Sequence, residues 1–137
     1  ELCMKSGTGL GRMWEIATAH RMAVIAEIRS FLSGIKPEET ARVYETQNPR
    51  LASDIADTIF RSLEGTGPVI ISASGNDGSS LLSIRGTTNG DEGLGMIVST
   101  IATECGGYGG GHVTRAGATI ATEFLPAFIS RLVEVCS

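Results

Sequence analysis

Apolar side chains recur at helical spacing in four segments of this chain, which predicts four amphipathic helices. The first and longest segment ends at Gly34, a residue type that commonly terminates helices. The second begins at Asn48-Pro49, which supply an N-cap and a first-turn proline. In the third, Asp91 and Glu92 are expected in the first turn, where the helix macrodipole favours acidic groups. The four predicted helices are residues 12–33, 49–63, 91–104 and 123–135.

Between these helices the pattern changes to alternation or to short β-branched runs, which predicts strands. Residues 68–74 are expected to form a buried strand, and Gly75-Asn76-Asp77-Gly78 predicts a tight turn into an antiparallel strand over residues 80–86. Residues 41–46 and 116–122 predict one further strand each. The order of elements indicates an α/β fold: a single domain with one mixed β-sheet of about four to five strands and helices packed against it.

The composition describes an ordered globular domain that is acidic overall. Hydrophobic residues make up 42% of the 137 residues and charged residues 19%, which disfavours a disordered chain. The net charge is −4, whereas a surface that binds nucleic acid through many phosphates is usually basic. We therefore expect any phosphate recognition to be local. The apolar runs are too short to cross a bilayer, so no membrane partner is expected.

Cysteine usage and the first residues of the chain suggest its context. Cys3, Cys105 and Cys136 form an odd set without a CxxC pair, which predicts reduced thiols in a cytoplasmic protein and no zinc site. The glycine-rich residues 1–11 predict a linker from a preceding domain, and residues 12–137 are expected to form the domain itself. The chain is thus expected to be part of a longer protein.

The residues that favour binding chemistry are concentrated between residues 105 and 117. Five of the seven residues 105–111 are glycine. A glycine-rich loop lets a ligand approach the main chain, and its successive N–H groups can form a concave nest for anions. With His112 and Arg115 beside it, the segment predicts a phosphate-binding site. No catalytic motif or metal-binding spacing accompanies it, so we expect no catalytic and no metal-ligating residue in this chain.

This segment resembles the DHH-associated domain, the C-terminal module of the DHH phosphoesterase superfamily. The run from Gly109 to Gly117 is similar to the family's GGGGHxxAAG signature, and Ser83-Ile84-Arg85 is similar to its strand that ends in serine, an apolar residue and arginine. The order of elements is similar from Arg42 to Glu134. The chain departs from the family at Tyr108, where the family has its first glycine, and at Arg115, where alanine is usual.

The resemblance implies the substrate-binding domain of a metal-dependent phosphodiesterase, in the first instance a RecJ-like single-strand exonuclease. Single-stranded nucleic acid or an oligonucleotide is then the expected substrate. Manganese or magnesium is implied in an N-terminal DHH catalytic domain of the same protein, with no cofactor in this chain and no hydrolysis by it alone. Arg115 is expected to add a phosphate contact and Tyr108 a face for stacking a base. The other implied phosphate- and nucleotide-binding residues are Arg85, Gly109, Gly110, Gly111 and His112.

Other uses of the same module stay open at this point. One is an oligoribonuclease or a cyclic-dinucleotide phosphodiesterase, and another is a non-catalytic module that docks a replication or repair partner. A third is tRNA-related editing, as at the C-terminus of alanyl-tRNA synthetases, which the acidic balance disfavours for this chain alone. Plainer interpretations also exist: a tight chain crossing for the glycines, a turn cap for His112 and a solvated strand end for Arg85.

Overall fold

The computed structural model of the chain describes residues 15–23, 25–26, 42–62, 67–75 and 77–136. The predicted linker, residues 1–11, and the predicted helix end at Gly34 lie outside them, whereas residues 15–23 and 25–26 are helical as expected. A five-stranded mixed sheet forms the centre of the described part, which confirms the predicted α/β fold. The strands are β1 Arg42–Glu45, β2 Val69–Ser74, β3 Ser79–Arg85, β4 Tyr108–Gly111 and β5 Arg115–Ala121, and the helices that follow β1 are α1 Ala52–Ser62, α2 Leu94–Glu104 and α3 Leu125–Val135.

The strands lie in the order β1-β2-β3-β5-β4. Strands β1 and β2 are parallel and are connected through α1, as a parallel pair requires a crossover. The side chain of Asn48 accepts a hydrogen bond from the Arg50 N–H at 3.1 Å, and the short 3₁₀ turn Pro49–Leu51 leads into α1. Strands β2 and β3 form the predicted antiparallel hairpin, with Gly78 at φ +80° in its turn. Both predictions from local sequence are confirmed.

Helices cover the two faces of the sheet unequally. On one face, α2 and α3 pack over side chains from β2, β3 and β5, and this forms the larger of the two apolar clusters found among the described residues. On the other face, α1 packs on Val69 and Ile71 of β2, both fully buried. The other side of that contact consists of Leu51 of the 3₁₀ turn and of Ala52, Ile55, Ala56 and Ile59 of α1. Among the described residues, no helix is both long and apolar enough to span a membrane.

Two local predictions are wrong. Residues 108–111 form strand β4 at the sheet edge, although the sequence predicted a loop there. Helix α2 begins at Leu94, after Asp91 and Glu92, and its first turn contains no acidic residue. Instead, the N–H groups of Leu94 and Gly95 donate to the carbonyls of Val113 and His112, at 2.9 and 2.7 Å. The chain that follows β4 therefore satisfies the start of α2, and acidic side chains are not needed there.

Candidate functional site on the open half of the sheet

The half of the α1-side face formed by β3, β5 and β4 carries three rows of side chains that run across the strands. Alternation places residues 81, 83 and 85 of β3 on this face, because residues 80, 82 and 84 are buried on the other. Residues 115, 117 and 119 of β5 share the face for the same reason. Register then fixes the rows: Leu81–Thr119–Tyr108, Ser83–Gly117–Gly110 and Arg85–Arg115–His112.

The middle row is a trough of small residues. Ser83 pairs with Gly117, and Gly117 pairs with Gly110, so across three strands the longest side chain is a serine. A Cβ atom added to Gly110 would meet no atom within 4 Å, because its side-chain position points into open space. The trough therefore leaves room for a ligand to lie against the backbone.

The row on one side of the trough contains three nitrogen-rich side chains. Arg85 pairs with Arg115 in the β3–β5 register, and the His112 N–H donates to the Arg115 carbonyl at 2.6 Å. His112 is exposed, and 56% of the Arg115 side chain is accessible to solvent. Guanidinium groups form strong, planar hydrogen bonds with phosphate, so this row suits an anion.

The row on the other side offers apolar contact. Leu81 is 51% exposed and Tyr108 is 71% exposed, and both pair with Thr119 of the strand between them. Large exposed apolar side chains on a sheet face are available to a ligand rather than to the core. An aromatic ring beside the trough can stack on a flat group such as a nucleobase.

Two adjoining cavities enclose the residues that the sequence singled out. The first has a volume of about 450 Å³, the second has a volume of about 310 Å³, and they share Gly110 and Gly117. Of the predicted site residues, Tyr108 and Gly109 line the second cavity. The first cavity is lined by the predicted residues Arg85, Gly110, Gly111, His112 and Arg115. The fold thus brings all seven to one surface.

Arg85 does not lie at a solvated strand end, because its side chain is only 5% exposed. Its Nε donates to Oδ1 of Asp57 at 2.5 Å, and its Nη2 donates to Oγ of Ser53 at 2.9 Å. Oδ2 of Asp57 also accepts from Arg115 Nη2 at 3.3 Å. One carboxylate on α1 therefore balances two arginines that face each other across β3 and β5, where like charges would otherwise repel.

Asp57 and Ser53 were missed by the sequence analysis. They lie on the polar side of α1, where nothing in the local pattern distinguishes them from surface residues. The only available signal is spacing, since residues 53 and 57 are one helical turn apart and can face one target.

The predicted anion nest is wrong. Tyr108–Gly111 is extended and pairs antiparallel with β5. Because the His112 N–H donates to the Arg115 carbonyl, every second N–H of β4, counting back from His112, points toward β5. Successive N–H groups of a strand point in opposite directions, so those of Gly109 and Gly111 point away from β5 and do not converge with that of Gly110. Side chains and the open trough, rather than a cluster of amides, form the site.

The glycines that flank Gly110 allow β4 to pack closely against β5 and against α2. A Cβ on Gly109 would come within 2.8 Å of the Gly117 carbonyl, and one on Gly111 within 2.3 Å of the Arg115 carbonyl. A Cβ on Gly95 of α2 would lie 2.4 Å from the Gly111 backbone. Part of the glycine content therefore permits α2 to approach β4.

Within the described part of the chain, no three His, Cys, Asp or Glu side chains come together in a group that could hold a metal ion. The site combines the anion contact at Arg115, the trough of small residues and an aromatic rim formed by Tyr108. These features can bind and orient a phosphorylated ligand.

Three solved structures share the fold of this chain. RecJ from Thermus thermophilus, solved with Mg²⁺, superposes with a TM-score of 0.67 at 20% identity over 90% of this chain and 19% of its own length. The C-Ala domain of Aquifex aeolicus alanyl-tRNA synthetase gives a TM-score of 0.54 at 19% identity, over 69% of this chain and 86% of that domain. A pGpG-specific phosphodiesterase from Vibrio cholerae gives 0.53 at 13% identity, over 90% of this chain and 41% of the enzyme.

These likenesses establish a shared fold, and the chain spans about a fifth of the RecJ structure that it matches. No curated protein sequence matches the chain. The family model of the DHHA1 domain, however, matches residues 31–137, which is most of the chain. This chain therefore belongs to the DHHA1 domain family.

Proposed function

We propose that the chain is the substrate-binding domain of a metal-dependent phosphodiesterase and that it holds a phosphate of single-stranded nucleic acid on the open half of its sheet. The observation that carries the proposal is the row Arg85–Arg115–His112 beside the trough Ser83–Gly117–Gly110. In this cationic row the exposed Arg115 supplies charge-assisted donors, and the trough allows the phosphate to approach them. The net charge of −4 fits a local phosphate contact rather than a broad basic surface.

The aromatic rim supports a nucleotide rather than a bare phosphate as the ligand. Tyr108 is exposed beside the second cavity, which adjoins the first through Gly110 and Gly117. A phosphate next to Arg115 and a base on Tyr108 would place the sugar over the trough. Stacking on an aromatic side chain contributes about 1–3 kcal/mol per base with little sequence preference, which suits an exonuclease.

Hydrolysis is proposed to take place in a DHH catalytic domain of the same protein, which holds manganese or magnesium. A bound metal ion there would activate water for attack on phosphorus. This chain would bind and position the strand. We also place the parent protein in the cytoplasm, which the free, buried thiols of Cys105 and Cys136 support.

A titration of the isotope-labelled chain with a 5′-phosphorylated oligodeoxythymidine tests the binding site. We expect amide shifts centred on Gly110, His112 and Arg115, and we expect Arg115→Ala to weaken binding severalfold because it removes a charged donor. Arg61→Ala is the matched control, since Arg61 carries the same charge on α1 and contacts its own helix at the Asp57 carbonyl. Shifts confined to other surfaces would refute the proposed site.

A second experiment tests the division of labour. Labelled single strands are incubated with manganese and either this chain or the full-length parent protein. We expect cleavage by the parent protein only. Manganese-dependent cleavage by the pure chain would overturn the proposal that hydrolysis takes place in a separate catalytic domain.

The same assay separates an exonuclease from an enzyme for dinucleotides. The fold likeness to the pGpG-specific phosphodiesterase makes pGpG the natural competitor. If the parent protein degrades long strands and pGpG competes weakly, the exonuclease proposal stands. Turnover of pGpG without turnover of long strands would favour the small-substrate alternative.

A further inference from the structure

The two arginines of the cationic row share the Asp57 carboxylate but are held very differently. Arg85 Nε lies 2.5 Å from Oδ1, whereas Arg115 Nη2 lies 3.3 Å from Oδ2. The Arg85 side chain is 5% exposed and that of Arg115 is 56% exposed, while Asp57 itself is 24% exposed. Asp57 therefore stands at the boundary between the buried network and the open site.

Arg85 is tied into the fold by several further bonds. Its Nη1 donates to the Ile84 carbonyl at 2.8 Å, and its Nη2 donates to Oγ and to the carbonyl of Ser53 at 2.9 and 3.3 Å. Turning this guanidinium toward a ligand would break these bonds and leave a buried charge without its partner, which is strongly unfavourable. Arg85 therefore cannot leave Asp57 readily.

Arg115 has the opposite character. Among the described residues, its ion pair is the long and solvent-exposed one with Asp57. Exposed pairs of this kind contribute little stability, so the guanidinium can move to another anion at small cost. Carboxylate and phosphate oxygens accept the same hydrogen bonds from a guanidinium.

We infer that Asp57 is a positioning residue that occupies Arg115 in the empty site, and that a nucleotide phosphate replaces the carboxylate on Arg115 while Arg85 stays on Asp57. The inference rests on the proposed function and assigns different roles to the two arginines: Arg85 holds Asp57, and Arg115 binds the phosphate. Because the carboxylate competes with every incoming anion, it disfavours small free anions. A nucleotide that also stacks on Tyr108 has a second contact to offset that competition.

The first test titrates thymidine 5′-monophosphate into the chain and into Asp57→Asn, whose amide oxygen can still accept from Arg85. We expect the variant to bind roughly two- to fivefold more tightly, since Arg115 no longer has a competing anion. Asp54→Asn is the matched control: the same change one turn earlier on α1, at a residue that contacts His20 at 2.6 Å. Asp54→Asn should bind thymidine 5′-monophosphate with the same affinity as the unmodified chain.

Combining Asp57→Asn with Arg115→Ala completes a double-mutant cycle. In that background, Asp57→Asn should no longer tighten binding, because the arginine that it frees is gone. A gain of the same size in Asp54→Asn, or one that persists in Arg115→Ala, would mean that net charge alone acts and would overturn the exchange.

The second test needs no variant and so does not depend on the folding of Asp57→Asn. The side-chain Nε–Hε resonances of Arg85 and Arg115 are followed while thymidine 5′-monophosphate is added to the unmodified chain. We expect Arg115 to shift and Arg85 to stay. Shifts at Gly110 and His112 with an unchanged Arg115 would refute the exchange alone, whereas no shift at any of these residues would refute both it and the proposed binding site.

Discussion

The two halves of the α1-side sheet face belong to one continuous sheet but have opposite surroundings. On the half formed by β1 and β2, α1 packs on β2, where Val69 and Ile71 are fully buried, and only its edge reaches β3, at Arg85. On the half formed by β3, β5 and β4, Leu81 and Tyr108 are 51% and 71% exposed, and no helix of the described residues covers the trough. Burial distinguishes the two halves, although one continuous sheet contains both.

The difference follows from size. A helix is about 10 Å wide, and neighbouring strands lie about 4.8 Å apart, so one helix covers about two strands. Two helices cover the opposite face, whereas α1 lies over only part of this one. An uncovered strand face must tolerate water, and small or polar residues such as Ser83, Gly117 and Arg115 meet that need. The same residues make the half suitable for a ligand.

The largest effect should come from the covered half. Replacing Ile71 by alanine removes buried methylene groups and leaves a cavity, which should lower the free energy of unfolding by about 2–5 kcal/mol. Leu81→Ala, on the open half, should change it by less than about 0.5 kcal/mol. Urea denaturation of both variants measures the contrast. Equal losses would show that Leu81 is buried in solution and that the face is not open.

The boundary between the halves should be next in sensitivity. Asp57→Ala leaves the nearly buried Arg85 without its charged partner, and it should lower the free energy of unfolding by about 3 kcal/mol. Asp54→Ala removes an exposed pair with His20 and should cost less than about 1 kcal/mol. Thermal and urea unfolding of the two variants provide the measurement. A mild Asp57→Ala phenotype would contradict the role of this carboxylate in holding Arg85.

Neighbouring glycines of β4 should respond in opposite ways to valine. Gly110→Val fills open space in the trough, so the chain should fold normally and lose at least about tenfold in nucleotide affinity, or about 1.4 kcal/mol. Gly109→Val should destabilise the fold instead, because its Cβ would clash with the Gly117 carbonyl and with Val98 of α2. Combined denaturation and titration distinguish the two. Normal nucleotide binding by folded Gly110→Val would show that the trough is not part of the binding site.

The rim residue Tyr108 should affect one class of ligand only. Tyr108→Ala should lower the affinity for a nucleotide by about 1–3 kcal/mol and leave the affinity for inorganic phosphate unchanged, since only the base loses its contact. Tyr108→Phe should retain nucleotide affinity because the ring is kept. Titrations of the three proteins with both ligands provide the test, and equal losses for the two ligands would argue against base stacking.

Where the sequence analysis succeeded, short-range chemistry controls the structure. The β2–β3 hairpin follows from a β-branched run and a glycine-containing turn, and the start of α1 follows from the Asn48 cap. It failed at Tyr108–Gly111, because glycine has low strand propensity and the strand forms only through pairing with β5 and close packing on α2. It also failed at Asp57, whose partners Arg85 and Arg115 lie 28 and 58 residues away along the chain.

The amino-acid sequence by itself determined the order of the helices and of every strand except β4, and the apolar faces of α1 and α2. It also singled out a small set of residues as candidates for phosphate binding. Only the tertiary structure decided that Arg85, Arg115 and His112 form one row, that Gly110 lies in a trough and that Asp57 separates a fixed arginine from an exposed one. The physical reason is range. Periodicity and capping act within a few residues, whereas cross-strand rows depend on register and ion pairs on helix placement, and both are set by contacts between distant segments of the chain.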